Sequence, residues 1–221
     1  MKTSILHVIL ALFVFFSTGC KKSPVITPPS NAADSYLPVT AGSHWAYHDV
    51  IGGFADTINI KMTGLTTNIN GTTFYTATGS SHFNSAITEN FYIANHLYIE
   101  RYFVGGGIYQ TNIDIVLLND TVSAGNSFTA VVTPIGGAGT SPERIINTVI
   151  EKNVSKVVGG KTFSNVIHTR IGLQYNFGTG FETNSVYDYY LAKGTGIIEE
   201  DISAPDGTVS ETLTIMDYGI N

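Results

Sequence analysis

The sequence predicts an all-β domain, and three features of it lead there. Past residue 35 no stretch shows apolar residues at the three-and-four spacing of an amphipathic helix. Short runs rich in Val, Ile, Thr, Tyr and Phe alternate instead with glycine- and asparagine-bearing turns. Charged residues make up only 13% of the chain, while glycine is plentiful at 23 residues, a mixture that suits strands and turns.

The expected strands follow in order. Trp45–Val50 and Asp56–Thr63 come first, then Thr73–Thr78 after Asn70-Gly71, a pair that tolerates positive φ and so suits a tight primed hairpin turn. Asn90–Ala94, Leu97–Phe103 and Tyr109–Leu118 come next, the last two separated by Gly105-Gly106-Gly107. In Leu97–Phe103 the faces separate cleanly. Leu97, Ile99, Arg101 and Phe103 share one; Tyr98, Glu100 and Tyr102 share the other, as in a sheet with one buried face. Ser127–Thr133 leads into a loop carrying Gly136, Gly137 and Gly139 between Pro134 and Pro142. Arg144–Val157 and Phe163–Tyr175 flank Gly159-Gly160, and Ser185–Ala192, Gly196–Ile202 and Thr208–Asp217 complete the set, with Asp206-Gly207 as the last turn signal. Consecutive strands joined by short turns are antiparallel and form a meander. The expected architecture is one domain, residues 36–221, of about ten to twelve antiparallel strands. Both a curled half-barrel and a β-sandwich satisfy the pattern.

The pattern Gly-x-[Ser/Thr]-Phe recurs at Gly71–Phe74, Gly125–Phe128 and Gly160–Phe163, with a relaxed copy at Gly42–Trp45. The unequal spacing argues against a propeller or solenoid. It reads as shared hairpin chemistry, in which a glycine turn feeds a strand whose first large ring docks in the core.

Residues 1–19 read as a leader. Lys2 is a short basic region, Ile5 to Phe16 is an apolar run of 12, and the small residues Ser17, Thr18 and Gly19 precede Cys20. A membrane span needs about 20 apolar residues, so this segment is too short to remain as one. The ending resembles the lipobox of bacterial lipoproteins, although Ser17 stands where that pattern usually has Leu, Val or Ile. The resemblance implies signal cleavage and lipid attachment at Cys20, which would join the protein to a membrane. Cys20 is the sole cysteine, so no disulfide forms within one chain. Residues 20–35, with Pro24, Pro28 and Pro29, read as an extended tether. Lys21 and Lys22 follow the cysteine where exported surface lipoproteins carry acids, which favours an outer-membrane position facing the periplasm.

Two further segments resemble stretches of uncharacterised bacterial envelope lipoproteins. Tyr36-Leu37-Pro38-Val39-Thr40-Ala41-Gly42-Ser43-His44-Trp45-Ala46-Tyr47 is similar to their opening, and Tyr189-Tyr190-Leu191-Ala192-Lys193-Gly194-Thr195-Gly196-Ile197-Ile198 to a later strand–turn–strand. The resemblance implies a β-fold and no catalytic residue.

Charge excludes one class of partner. The net charge is −6, or −7 once Lys2 leaves with the leader, and no basic stripe exists for nucleic acid. Gly-x-Ser-x-Gly, Ser-x-x-Lys and phosphate-loop motifs are missing, so no catalytic residue and no cofactor is nominated. His44 and His48 would lie roughly 13 Å apart along a strand, too far to share a metal ion. Glu199, Glu200, Asp201, Asp206, Glu211 and Asp217 form an acidic run that reads first as a solvated strand rim. Asp56-Thr57-Ile58 and Asp120-Thr121-Val122 resemble O-glycan acceptor tripeptides of some bacterial envelope proteins.

The aromatic residues carry the functional expectation. Tyr187 and Tyr189 share one strand face and, with Tyr98 and Tyr102, are the candidate lining of a lipid- or glycan-binding surface. Packing within the sheet explains them equally. The expected function is non-catalytic binding of an apolar or glycan ligand or of a partner protein. A hydrolase using acids from 199–217 and a structural lipoprotein are the alternatives. Two carboxylates facing one cleft within glycosidase range would favour the hydrolase, an apolar groove without clustered acids a carrier, and a filled core with no cleft an interaction module.

Overall fold

The structure, a computed structural model, describes residues 32–104, 111–131, 143–176 and 178–221. Cys20, the leader and most of the tether lie outside the described residues. After a single 3-10 turn at Ala32–Asp34 come twelve strands: β1 His44–Ile51, β2 Phe54–Ile69, β3 Thr72–Ser80, β4 Ile87–Ala94, β5 Leu97–Val104, β6 Thr111–Asn119, β7 Ser127–Val131, β8 Glu143–Val158, β9 Lys161–Asn176, β10 Phe181–Ala192, β11 Gly196–Ser203 and β12 Val209–Gly219. The domain is all-β, and every ladder is antiparallel.

The strands form one sheet, in the order β6-β5-β4-β3-β2-β1-β12-β11-β10-β9-β8-β7. A single continuous sheet decides between the two expected architectures in favour of the curled one. The first and last strands meet at its centre, where Trp45 lies opposite Tyr218. The two edge strands, β6 and β7, are neighbours in sequence, joined only by residues 120–126. The sheet must therefore curl almost into a closed barrel.

Side chains close the seam between β6 and β7. An edge strand leaves backbone carbonyls without ladder partners, and burying them unpaired is costly. Asn147 of β8 donates from Nδ2 to the Val116 and Leu117 carbonyls at 2.7 and 3.0 Å. Thr169 Oγ1 of β9 donates to the Leu117 carbonyl at 2.9 Å, and Lys152 Nζ reaches the Asp120 and Val122 carbonyls at 2.6 and 3.0 Å. Asn147 and Thr169 are fully buried. Asn147→Ala leaves the Val116 carbonyl without its donor, while Leu117 keeps Thr169, so it should cost about 1–3 kcal/mol, read as a lower urea midpoint with an unchanged m-value.

The turns follow the sequence chemistry. Asn70 and Gly71 both take positive φ, 52° and 83°, as the primed hairpin turn requires. At Asp206-Gly207 only Gly207 does, because Ala204 and Thr208 close a wider turn around it through the bond from Ala204 N to the Thr208 carbonyl. The strands of the β2–β3 and β8–β9 hairpins run longer than expected. β2, β8 and β9 each span 16 residues, and register shifts carry the pairing of β2 through Gly64 and of β8 through Asn153.

One end of the barrel is plugged by the segment just before β1. Ser35, Tyr36, Leu37 and Val39 are buried. Tyr36 packs edge-on against Tyr98 with ring centres 6.0 Å apart, and the Ser35 carbonyl accepts from Gly194 N at 2.7 Å. Here the two resemblance segments meet. Trp45 Nε1 donates to the Thr195 carbonyl at 2.6 Å, and Tyr47 Oη donates to the Ile197 carbonyl at 3.0 Å, both across 150 residues of chain.

The outward faces of β9, β10 and β11 carry a polar network. Arg170 forks onto Asp188, with Nε 2.9 Å and Nη2 3.0 Å from its two oxygens, and His168 Nε2 lies 2.7 Å from the same carboxylate. Tyr190 stacks on His168 at 4.2 Å. Lys156 sits 3.6 Å above Tyr190 and pairs with Glu199 at 2.9 Å. This is the reverse of the apolar band that a membrane-spanning barrel turns outward. Among the described residues no helix is long and apolar enough to cross a membrane.

Candidate functional site

A chamber of about 490 Å³ lies inside the barrel. Its floor is the plug, through Leu37 and Pro38. Its walls include Trp45, Tyr47, Ile58, Ile60, Phe91 and Leu213, and it extends towards Asn84 and Ala86 of the β3–β4 connection. Strand alternation explains the apolar lining. Every second residue of β1, β2 and β4 turns inward, and these positions carry Trp45/Tyr47, Ile58/Ile60 and Phe91/Ile93.

Four glutamates interrupt that lining. Glu89 on β4, Glu100 on β5, Glu200 on β11 and Glu211 on β12 all border the chamber. Their register puts them on facing walls. Glu89 and Glu100 share the inner face of the first half, since Glu100 pairs with Phe91. Glu200 pairs with Leu213, which in turn pairs with Asp49 of β1. Closure of the sheet brings β4 and β5 opposite β11 and β12.

Glu100 is 8% exposed. Glu89 and Glu200 are half-buried, and the chamber they border provides that residual surface. Removing a carboxylate from water disfavours its charge, and a second carboxylate nearby disfavours it again. Burial first, and Glu200 second, push Glu89 up to about 7. Burial and then Glu89 push Glu100 up to about 8. Burial and then Glu100 push Glu200 up to about 8, against a hydrogen bond from Tyr189 that favours its ionised form. Glu211 is raised by burial and then by Asp49. Near neutral pH Glu89, Glu100 and Glu200 hold protons that ordinary glutamates have long lost.

Two buried acids are incompletely hydrogen-bonded. Asp49 is 5% exposed, and its Oδ1 has no hydrogen bond. Glu100 has no hydrogen-bond partner among the described residues, and its electrostatic neighbour is another acid. Arg101 is the one cation bordering the chamber among the described residues. Its Nη2 is committed to Asp114 at 2.7 Å, and its guanidinium lies 4.6 Å from the centre of the Phe74 ring. Among the described residues no three His, Cys, Asp or Glu side chains converge to hold a metal ion.

The four candidate tyrosines divide. Tyr187 and Tyr189 turn into the barrel on β10 and stack at 6.3 Å with their planes 6° apart. Tyr189 is 1% exposed and donates to Glu200, which puts it in the wall directly behind the chamber. Tyr98 is buried against the plug, and its hydroxyl donates to Asp120 Oδ2 at 3.1 Å. Tyr102 lies on β5, but its side chain is outside the described residues.

The acidic run also divides, by strand parity. Glu200 and Glu211 border the chamber, whereas Glu199 faces outward to Lys156, and Asp201 accepts from Thr212 Oγ1 at 2.8 Å. A solvated rim therefore describes the exposed Asp206 and Asp217, and neither Glu200 nor Glu199, whose side chain is 19% exposed in its ion pair. Asp49 and Glu89 were not singled out from sequence. A signal for them existed: Trp45-x-Tyr47-x-Asp49, Ile87-x-Glu89-x-Phe91 and Ile198-x-Glu200-x-Ile202 each place an acid in register with an apolar stripe.

Outside the barrel, a shallow hollow lies around His48, Asp56 and His82. The Asp56 carboxylate, held down to about 2 by the backbone amide of His82, the Ser81 hydroxyl and the amides of Thr57 and Phe83, organises the β3–β4 connection there.

No family model matches the sequence, and no curated protein sequence matches it. Solved structures with a similar overall course of the chain include a predicted lipoprotein of Parabacteroides distasonis, 8% identical, with a TM-score of 0.47. They also include a predicted exported protein with YmcC-like fold from Bacteroides fragilis, 7% identical, with a TM-score of 0.48. Each match covers 83% of this chain and 98% of the other.

Proposed function

We propose that this chain is a lipid-anchored envelope protein that binds a small, partly apolar molecule inside its barrel. The chamber carries the reading. An interior of about 490 Å³, walled by Trp45, Tyr47 and Phe91 and edged by a few polar groups, has the size and chemistry of a small-molecule site. A domain whose one job was packing would fill that space with side chains. The anchor rests on the order of Lys2, the apolar run and Cys20.

Binding fits the site better than hydrolysis does. Glycosidic chemistry divides two carboxyls into a protonated acid and an ionised partner, and their surroundings drive their proton affinities apart. Here burial drives Glu89, Glu100, Glu200 and Glu211 in the same direction. Among the described residues of the chamber wall no acid is shifted towards its ionised form. A carboxylic acid group in this state donates and accepts hydrogen bonds, which suits recognition.

Native mass spectrometry of the protein recovered from its own envelope should show a small-molecule adduct. Ala86→Trp, which narrows the chamber where it nears the β3–β4 connection, should remove the adduct while shifting Tm by no more than a few degrees. In the same cells Cys20→Ser should abolish alkyne-palmitate labelling and membrane retention. A wild-type protein with no adduct and no response to added lipids or amphiphiles would overturn the binding reading. Persistent labelling of the Cys20→Ser variant would overturn the anchor.

A further inference from the structure

We infer that the chamber's ligand is an organic cation, an amine whose charge sits among Glu89, Glu100 and Glu200 while its apolar part lies against Trp45, Tyr47 and Phe91. The inference rests on the binding reading above and deepens it. Its starting point is an imbalance of charge. The ionisable groups bordering this space are Glu89 on β4, Glu100 on β5, Glu200 on β11 and Glu211 on β12, with the phenol of Tyr47; Asp49 on β1 lies near Glu200 and Glu211 behind the wall, as do the phenols of Tyr187 and Tyr189. The bordering cation, Arg101, bonds Asp114 through Nη2 and lies over the Phe74 ring, and its buried Nε and Nη1 reach no partner, so it forms no ion pair with any of these acids. Nothing described on the wall balances the acids.

Isolated buried charge is among the most expensive arrangements in a protein, and it persists where something offsets it. Protons can do so in the empty chamber. Two acids remain poorly served even then: Asp49, 5% exposed with Oδ1 unpartnered, and Glu100, 8% exposed without a hydrogen-bond partner among the described residues. Both are more than nine-tenths buried, and Glu100 borders the open space. A donor brought by a ligand would satisfy Glu100 directly and ease the field on Asp49 behind it.

The walls specify which kind of cation. A bare metal ion needs several oxygen donors drawn to one point, and among the described residues no three acids or histidines converge that closely. Dispersed carboxyls around an aromatic-lined volume suit a larger, softer cation instead. An ammonium group can bond one carboxylate directly and feel the others through a poorly screened interior. Ring faces attract it further, and the remaining volume accepts its carbon frame.

Binding then exchanges protons for the ligand's charge. A cation favours the ionised carboxyls, so its affinity rises with pH as those protons leave, whereas a neutral molecule of the same shape gains nothing. Benzylammonium chloride and benzyl alcohol make the matched pair, since both are soluble and benzylammonium is charged throughout the range used. Trp45 is the sole tryptophan and borders the chamber, so its emission reports occupancy. Calorimetry on the purified full chain supplies a second readout.

Benzylammonium should bind about fivefold or more tightly at pH 8 than at pH 5.5, with net proton release. It should also outbind benzyl alcohol at pH 8. Glu100→Gln with Glu200→Gln should remove most of that preference and leave benzyl alcohol within about twofold; Glu211→Gln alone should reduce it in the same direction, so the result does not hang on one variant. Benzyl alcohol binding as well as or better than benzylammonium at pH 8 would overturn the cation and leave the binding reading standing. No binding of either compound, by emission or by heat, would overturn both.

Discussion

Warmed at pH 9, the protein should unfold at a markedly lower temperature than at pH 5, and Glu100→Gln combined with Glu200→Gln should erase most of the difference. The sign follows from proton linkage. An unfolded glutamate titrates near 4.5, whereas the folded chain holds Glu89 up to about 7 and Glu100 and Glu200 up to about 8. Between these limits the folded state binds more protons than the unfolded state, so stability falls as pH rises. The contribution is complete below about pH 4.5 and is lost through pH 7 to 8. Every tenfold gain in a carboxylate's proton affinity on folding is worth about 1.4 kcal/mol, and the acids titrate as an interacting set. The combined loss is therefore on the order of several kcal/mol.

Glutamine keeps the shape and the hydrogen-bonding ends while removing the charge. The double variant should match wild type at pH 5 and exceed it at pH 9. Asp49, Glu211 and Asp114, also raised by burial, act in the same direction. Asp188 acts oppositely. Its own burial raises it, but bonds from His168 and Arg170 outweigh that and lower it. Its contribution is present above the unfolded aspartate range and is lost in stronger acid. The stability maximum should therefore fall on the acid side of neutrality. A Tm that rose between pH 5 and pH 9, measured by calorimetry in matched buffers, would show that the glutamates are not held in a dry interior.

The second large effect is expected at Trp45. Trp45→Ala should cost about 3–5 kcal/mol, the usual loss for emptying the site of a buried aromatic residue. For a domain of this size that is roughly 10 °C or more in Tm. The ring is 5% exposed, and its Nε1 holds the Thr195 carbonyl at 2.6 Å. Losing it leaves that carbonyl buried without its donor. It also frees the turn that receives the plug, through the Gly194 N bond to Ser35. Trp45→Phe separates the two contributions. It keeps most of the apolar area, loses the donor, and should cost about 1–3 kcal/mol. Gly196→Ala should be costly too. Gly196 has φ of +106°, and an added Cβ would sit 3.3 Å from the Trp45 nitrogen. If Trp45→Ala left the denaturant midpoint unchanged, the plug would not depend on the contact between β1 and the β10–β11 turn.

Trp45 also shows what kind of information a chain of this type carries openly. Its place at the start of an alternating strand after a glycine turn is local, and the strand was legible. So were the primed turn at Asn70-Gly71 and the meander as a whole. The 150-residue reach to Thr195 was not, although both segments stood out by resemblance. Nothing local says that the first strand pairs with the last.

The acids divide along the same line. Glu199 and Glu200 are adjacent and chemically alike, and alternation alone puts them on opposite faces. Which face would be dry depended on closure of the sheet. Rolled one way, Glu200 enters a chamber with Glu89 and Glu100 from the other half; left flat, it would sit on a wet rim. Period-two patterning, turn chemistry and the mildly acidic charge are properties of neighbouring residues, and the sequence by itself determined an antiparallel meander of about ten to twelve strands with one apolar face. Gathering four glutamates around one interior space required β4 and β5 to face β11 and β12. Contacts between residues so distant along the chain arise only when the sheet curls and Asn147 and Thr169 close its seam, so that part belonged to the tertiary structure alone.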